Sequence, residues 1–138
     1  MQVHTGIIKR CGQSFLRERL AIYHLKPLDS VVMHTLKRKG SCNQEALCNT
    51  VDIDKGRMAR IMERLEERGL IQRVTNPSDK REKLAELTET GIHMLETIDS
   101  LFDEWDEICF IGFSEQEREQ YQGFLKRIAQ NAITFKEN

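Results

Sequence analysis

Between Asp54 and Leu87 the hydrophobic period changes from that of a helix to that of a strand, and this change limits the fold more than any other feature. Met58, Ile61, Met62 and Leu65 recur at the i, i+3, i+4, i+7 spacing of one helix face. Asp54 precedes them as an N-cap, its carboxylate able to accept from backbone N–H groups that lack a helical partner. Gly69 follows as a left-handed C-cap, with Leu70 as the apolar residue that tucks back. The spacing therefore predicts a helix over Lys55–Arg68. The run Leu70 to Thr75 is β-prone, Asn76-Pro77-Ser78-Asp79 has turn chemistry, and Lys83 to Leu87 reads as a return strand. The result is a helix followed by a two-stranded hairpin whose tip, Asp79-Lys80-Arg81-Glu82, is charged.

The flanks are helical. Ile7, Ile8, Cys11, Phe15, Leu16, Leu20 and Tyr23 recur at helical spacing, which predicts a helix over residues 6–25, broken at Lys26-Pro27. A second helix is expected from Leu28 to Lys39, stopped by Gly40, and a short third one from Gln44 to Asn49. Beyond Thr88 a stripe from Ile92 to Cys109 lasts about five turns. Ser114 and Glu117 then form a capping box for a last helix that should carry Tyr121, Phe124, Leu125, Ile128, Ala129 and Ile133 inward.

Helix, short turn and second helix followed by a hairpin make residues 28–87 a winged helix-turn-helix. The fold class is mainly α with a small β-hairpin wing, flanked by terminal helices at 1–27 and 88–138. In such a unit the second helix of the pair enters the DNA major groove. Its outward side here presents Lys55, Arg57, Arg60 and Arg64, the three arginines at i, i+3 and i+7. Guanidinium groups in that row can contact phosphates or pair with guanine O6 and N7. Gly56 leaves room for close backbone approach. Lys80 and Arg81 at the hairpin tip are placed to reach an adjacent minor groove. Asp79 is expected to hold Arg81 or the turn through a charge-assisted hydrogen bond. The alternative is a solvated helix face on a module that keeps the shape without reading DNA.

Charge is divided to match. The net charge of −1 hides about +7 over residues 1–83 and about −8 over residues 84–138. With 39% hydrophobic and 31% charged residues the chain is too apolar for disorder. It has no run of about 18 apolar residues for a membrane span, and no export signal is expected at the N-terminus. The four cysteines, at 11, 42, 48 and 109, form no C-x-x-C pair, so a reduced, cytoplasmic setting is expected. The histidines are scattered, which argues against a metal site, and no catalytic motif or cofactor-binding loop is present, so no enzyme activity is expected.

The stretch Asp54-Lys55-Gly56-Arg57-Met58-Ala59-Arg60-Ile61-Met62-Glu63-Arg64-Leu65-Glu66-Glu67-Arg68-Gly69-Leu70-Ile71 resembles the MarR family of bacterial transcription regulators. So do Arg73, the D-x-R wing signature Asp79-Lys80-Arg81, and the L-T-x-x-G run Leu87-Thr88-Glu89-Thr90-Gly91. The resemblance also implies that Gly56 and Ala59 lie at the DNA face, where the chain departs from the small hydroxylated residues that many members carry and so lacks the base contacts those would make. The resemblance implies a homodimeric regulator, a repressor by expectation. Two recognition helices would read a pseudo-palindromic operator in double-stranded DNA, and the N-terminal and last two helices would interleave across the two-fold axis. The aromatic residues fit this: all but Phe15 and Tyr23 lie between Phe102 and Phe135. The resemblance further implies a small aromatic or phenolic effector between the dimer helices and the winged unit. Helix position suggests Phe15, Arg19, Tyr23 and His34 for its pocket. Some members place a peroxide-sensing thiol in the first helix, which would be Cys11 here; the alternative for Cys11, as for the other cysteines, is a buried small hydrophobe.

Overall fold

The computed structural model describes residues 2–138; Met1, the first residue of the expected N-terminal segment, lies outside them. The elements run α1 (Gln2–Ala21), α2 (Pro27–Lys39), β1 (Ser41–Cys42), α3 (Gln44–Val51), α4 (Lys55–Glu67), β2 (Ile71–Asn76), β3 (Asp79–Leu87), α5 (Glu89–Cys109) and α6 (Glu115–Glu137). The chain forms two compact units, one reaching Asp103 and the other Glu104–Asn138.

Two local departures from the sequence pattern have clear causes. The first helix ends at Ala21 rather than near residue 25. Leu25 is buried, and its N–H donates to the Leu20 carbonyl at 3.0 Å, which closes the helix end, with His24 at φ 56° in the left-handed region. Tyr23 keeps the helical phase in the sequence, but burying Leu25 decides the backbone. The wing also has a third strand. Ser41 pairs with Glu86 and Cys42 with Ala85, giving the antiparallel order β1-β3-β2. Two residues are too few to show alternation, so β1 leaves no periodic signal in the sequence.

The core of the first unit lies where α2, α3, α4 and the sheet meet. Leu20, Val32, Met33, Leu36, Leu47, Met58, Met62, Leu65, Leu70, Leu95 and Ile98 are all buried there. Each such side chain contributes roughly 1.5–3 kcal/mol of transfer free energy. The apolar stripe of α4 faces this core, which turns the opposite side of α4 outward. Gly69 has φ 72°, its N–H donates to the Glu66 carbonyl, and Leu70 N–H reaches the Leu65 carbonyl, both at 2.9 Å. This is the expected left-handed stop, and it aims the chain from α4 straight into β2.

The start of α5 is seated on the same turn. Thr88 N–H donates to the Leu70 carbonyl at 3.1 Å, and Thr88 Oγ1 donates to the Gly69 carbonyl at 2.5 Å. Gly91 completes the seat, because a Cβ there would stand 2.0 Å from the Leu70 oxygen. That fixes the glycine of the L-T-x-x-G run by contact rather than by backbone angle.

The second unit is built differently. Ser114 Oγ accepts from Glu117 N–H at 3.1 Å while the Glu117 carboxylate accepts from Ser114 N–H at 2.8 Å, the expected capping box. Phe110 meets Phe113 and Tyr121 edge-on, and Arg118 lies over the Phe110 ring while pairing with Glu107 at 3.0 Å. The inward placement of the last helix does not hold. No residue of α6 is buried, and Tyr121, Phe124, Leu125, Ile128, Ala129 and Ile133 are all exposed in the single chain. The apolar spacing is real, but among the described residues it leaves these side chains exposed in the single chain.

Gly91→Ala tests the seat of α5. Helix propensity alone would favour alanine by about 1 kcal/mol. The backbone overlap outweighs this, and we expect a net loss of about 2 kcal/mol in urea unfolding. An unchanged midpoint would refute the contact.

Candidate nucleic-acid interface

The helix-turn-helix is set by two side-chain caps. Asn43 Oδ1 accepts from Ala46 N–H at 2.8 Å and starts α3. Asp54 Oδ1 accepts from Arg57 N–H at 2.8 Å and starts α4. The Arg57 N–H and the neighbouring Arg60 charge hold the Asp54 carboxyl below the usual range. The cap bond and the Arg60 charge thus both favour the ionised form of Asp54. Gly56 serves this cap as well: a Cβ would lie 3.3 Å from Asp54 Oδ1.

The arginine row divides along α4. Lys55, Gly56, Arg57 and Arg60 are exposed, and Ala59 is half-buried beneath them. Arg64 is different. Its guanidinium pairs with Asp29, whose side chain is 0% exposed, while that of Arg64 itself is 35% exposed. Asp29 also accepts from Lys26 N–H at 2.8 Å and so caps α2. One turn further, Arg68 donates to the Tyr23 carbonyl at 2.6 Å and the His24 carbonyl at 3.0 Å. The N-terminal half of α4 thus presents cations to solvent, and the C-terminal half uses its cations to grip α2 and the turn after α1. Helical spacing alone put Arg64 in the outer row; it could not show Asp29, 35 residues earlier, beneath it.

At the wing, Thr75 faces Lys83 and Asn76 faces Asp79, so Lys80, Arg81 and Glu82 have no register partner on β2. The Arg81 side chain is 95% exposed. Asp79 Oδ1 accepts from Arg81 N–H at 3.1 Å and lies 3.5 Å from Arg81 Nε. Glu82, which no local sequence pattern marks, accepts from the side-chain amides of both Asn43 and Asn76. Those bonds, that of Asn43 first, hold its carboxyl below the usual glutamate range.

A cleft of about 850 Å³ opens beside α4, lined by residues that include Arg17, Lys26, Asp29, Arg57, Arg60 and Arg64. Phe15, Arg19, Tyr23 and His34 do not line it. Arg19 lies over the Phe15 ring at 4.9 Å, and Tyr23 packs against the core. His34 bridges the Ser30 carbonyl and Asp99 Oδ1, each at 2.8 Å, with Phe102 edge-on. Burial as small hydrophobes holds for Cys42 and Cys48, and burial pushes the Cys42 thiol up. It does not hold for Cys11 and Cys109, which are exposed in the single chain. Among the described residues no cluster of histidine, cysteine and carboxylate side chains could hold a metal ion.

The MarR family model matches residues 25–83, the span from the α1–α2 turn to the wing. The chain is 30% identical over 112 residues to the HTH-type transcriptional regulator MhqR of Bacillus subtilis (strain 168), which covers 80% of this chain and 77% of MhqR. This chain belongs to the MarR family. It is also 34% identical over 91 residues to the HTH-type transcriptional regulator BilQ of Clostridium symbiosum (strain WAL-14163), covering 66% of this chain. The chain spans 63% of the length of that BilQ. A crystal structure of MarR itself superposes with a TM-score of 0.83 at 26% identity, covering 99% of this chain and 92% of that one. The MarR winged helix-turn-helix architecture is therefore the fold of this protein.

The division of α4 predicts opposite effects of neighbouring substitutions on stability. Arg64→Met leaves the Asp29 carboxylate buried without its counter-charge and should cost about 3 kcal/mol. Arg57→Ala, on the exposed half, should change stability by less than about 0.5 kcal/mol. Urea titrations of the two variants check this, and similar midpoints would contradict it.

Proposed function

We propose that this protein is a sequence-specific DNA-binding transcription regulator, a repressor that acts as a homodimer on a pseudo-palindromic operator. One observation carries the reading. The exposed cations Lys55, Arg57 and Arg60 stand on the outer half of a capped helix, and a wing in the same compact unit presents Lys80 and Arg81. In this reading α4 enters the major groove, Gly56 and Ala59 allow close approach, and Arg81 follows the adjacent minor groove. Arg64 contributes through the fold and the local potential, since its guanidinium is tied to Asp29.

The dimer reading rests on the apolar faces that the single chain leaves open. Phe124 is 55% exposed, and Ile7, Ile8, Ile128 and Ile133 are exposed with it. Single exposed apolar residues are ordinary, but regular stripes of them along helices fit a surface covered by a second copy. We assign residues 1–27 and 88–138 to dimerisation and 28–87 to DNA binding. Among the described residues no helix is long and apolar enough to cross a membrane. We place the protein in the cytoplasm with its DNA.

The cleft beside α4 suits an effector with an acidic or phenolic group on an aromatic body, held by guanidinium groups of Arg17, Arg57 and Arg60. Arg57 and Arg60 also belong to the DNA face. Such an effector would therefore release DNA by taking up these side chains as well as by changing the spacing of two recognition helices.

Fluorescence-anisotropy titration with a duplex enriched from genomic fragments tests DNA binding. Affinity should fall linearly with salt on logarithmic axes, and Arg57→Ala and Arg81→Ala should each reduce the slope by about 1 if they meet phosphates. A protein indifferent to every duplex at low ionic strength would refute the reading. Phe124→Asp should yield a monomer in sedimentation while the winged unit remains folded, and should bind the duplex more weakly. If the wild-type protein itself sediments as a monomer, the dimer assignment is wrong.

A further inference from the structure

One carboxylate links the turn of the wing to the start of α3. Glu82 Oε1 accepts from Asn43 Nδ2, and Glu82 Oε2 accepts from Asn76 Nδ2 at 2.5 Å. Each asparagine already has its oxygen engaged. Asn43 Oδ1 caps α3 through Ala46 N–H, and Asn76 Oδ1 closes the wing turn by accepting from Ser78 N–H at 2.9 Å. One side chain therefore bolts the cap of α3 to the turn of the wing. Only a group with two acceptors and no donor satisfies both amides; a glutamine would turn its own NH₂ toward one of them.

Position makes this bolt matter. Lys80, Arg81 and Glu82 have no register partner on β2, so the backbone ladder does not set their direction. The restraints on the segment are local, through Asp79, or pass through the Glu82 side chain to Asn76 and to Asn43 at the start of α3. Successive side chains of an extended strand point to opposite sides, so holding Glu82 against Asn43 turns Arg81 the other way, away from α3.

We infer that Glu82 is a positioning residue for the DNA contact: it fixes the bearing of the wing against the helix-turn-helix so that Arg81 is aimed while Arg57 and Arg60 occupy the groove. This rests on the DNA-binding reading above. It makes an electrostatically unexpected claim. A carboxylate near a polyanion repels it, so if charge alone mattered, removing Glu82 would strengthen binding. Positioning requires the opposite sign, because a loosened wing must be ordered again at every binding event.

The test uses the full-length protein and a labelled duplex carrying the sequence enriched from genomic fragments. Glu82→Gln should bind about tenfold more weakly, the scale of one hydrogen bond to a charged group, with an unchanged salt slope. Asn43→Ser keeps an N-cap for α3 but has no amide to give Glu82; it should show a similar loss, and the double variant should lose little more. Arg81→Ala should weaken the wild type several-fold and Glu82→Gln hardly at all. Equal or tighter binding by Glu82→Gln, or full additivity with Arg81→Ala, would overturn the inference while leaving DNA binding intact. A wild type that binds no duplex at low salt would overturn both. Unfolding midpoints of the variants identify any loss that comes from misfolding, and in that case Asn43→Ser, with its cap retained, decides the matter.

Discussion

A buried carboxylate fixes the geometry of the reading unit. Asp29 is fully withdrawn from water, and an ionised carboxylate there is tolerated only with charge and hydrogen-bond partners close by. The Lys26 N–H supplies one, and Arg64 of α4 supplies the other. The requirement thus ties the middle of α4 to the first turn of α2. Arg68 repeats the tie one turn later on the Tyr23 and His24 carbonyls. Apolar packing of Met58, Ile61, Met62 and Leu65 presses α4 onto the core but is non-directional; the two arginines supply the direction. The exposed half of the helix is therefore presented at a defined angle, with Arg57 and Arg60 free of internal duties of this kind among the described residues.

The wing follows the same logic with a lighter joint. Its strands are paired up to Thr75 and Lys83, and beyond that point the backbone ladder gives way. Side-chain amides take over, from Asn43 and Asn76, both converging on Glu82. Rigid placement by buried charge at α4 and lighter placement by part-buried side-chain hydrogen bonds at the wing suit an element that inserts and an element that adjusts.

Much of the fold was legible because the relevant signals are local. The stripe of α4, its Asp54 and Gly69 boundaries and the Asn-Pro turn of the wing all lie within a few residues of what they specify. Elements decided by distant contacts were not. Leu25 ended α1 early by packing into the core, and β1 formed on an edge that β3 offered. The site divides in the same way. The exposed row Lys55, Arg57, Arg60 and the tip residues Lys80 and Arg81 follow from spacing, but the partners Asp29 and Glu82 do not, since each acts across more than thirty residues. Helix position suggests Phe15, Arg19, Tyr23 and His34 for an effector pocket; they do not line the cleft beside α4, and in the single chain Arg19, Tyr23 and His34 make ring, core and hydrogen-bond contacts. The stripe of α6 shows the remaining gap: periodicity reports that a face is apolar, and says nothing about which chain covers it.

That open stripe bears on how such a regulator responds to its own abundance. If two chains must meet before either can hold an operator, the active species grows with the square of chain concentration while dimers are scarce, and only linearly once they dominate. Occupancy of a promoter would then rise steeply across a narrow range of expression. A modest change in synthesis or proteolysis of the chain would act as a gain control, without any change in its affinity for DNA.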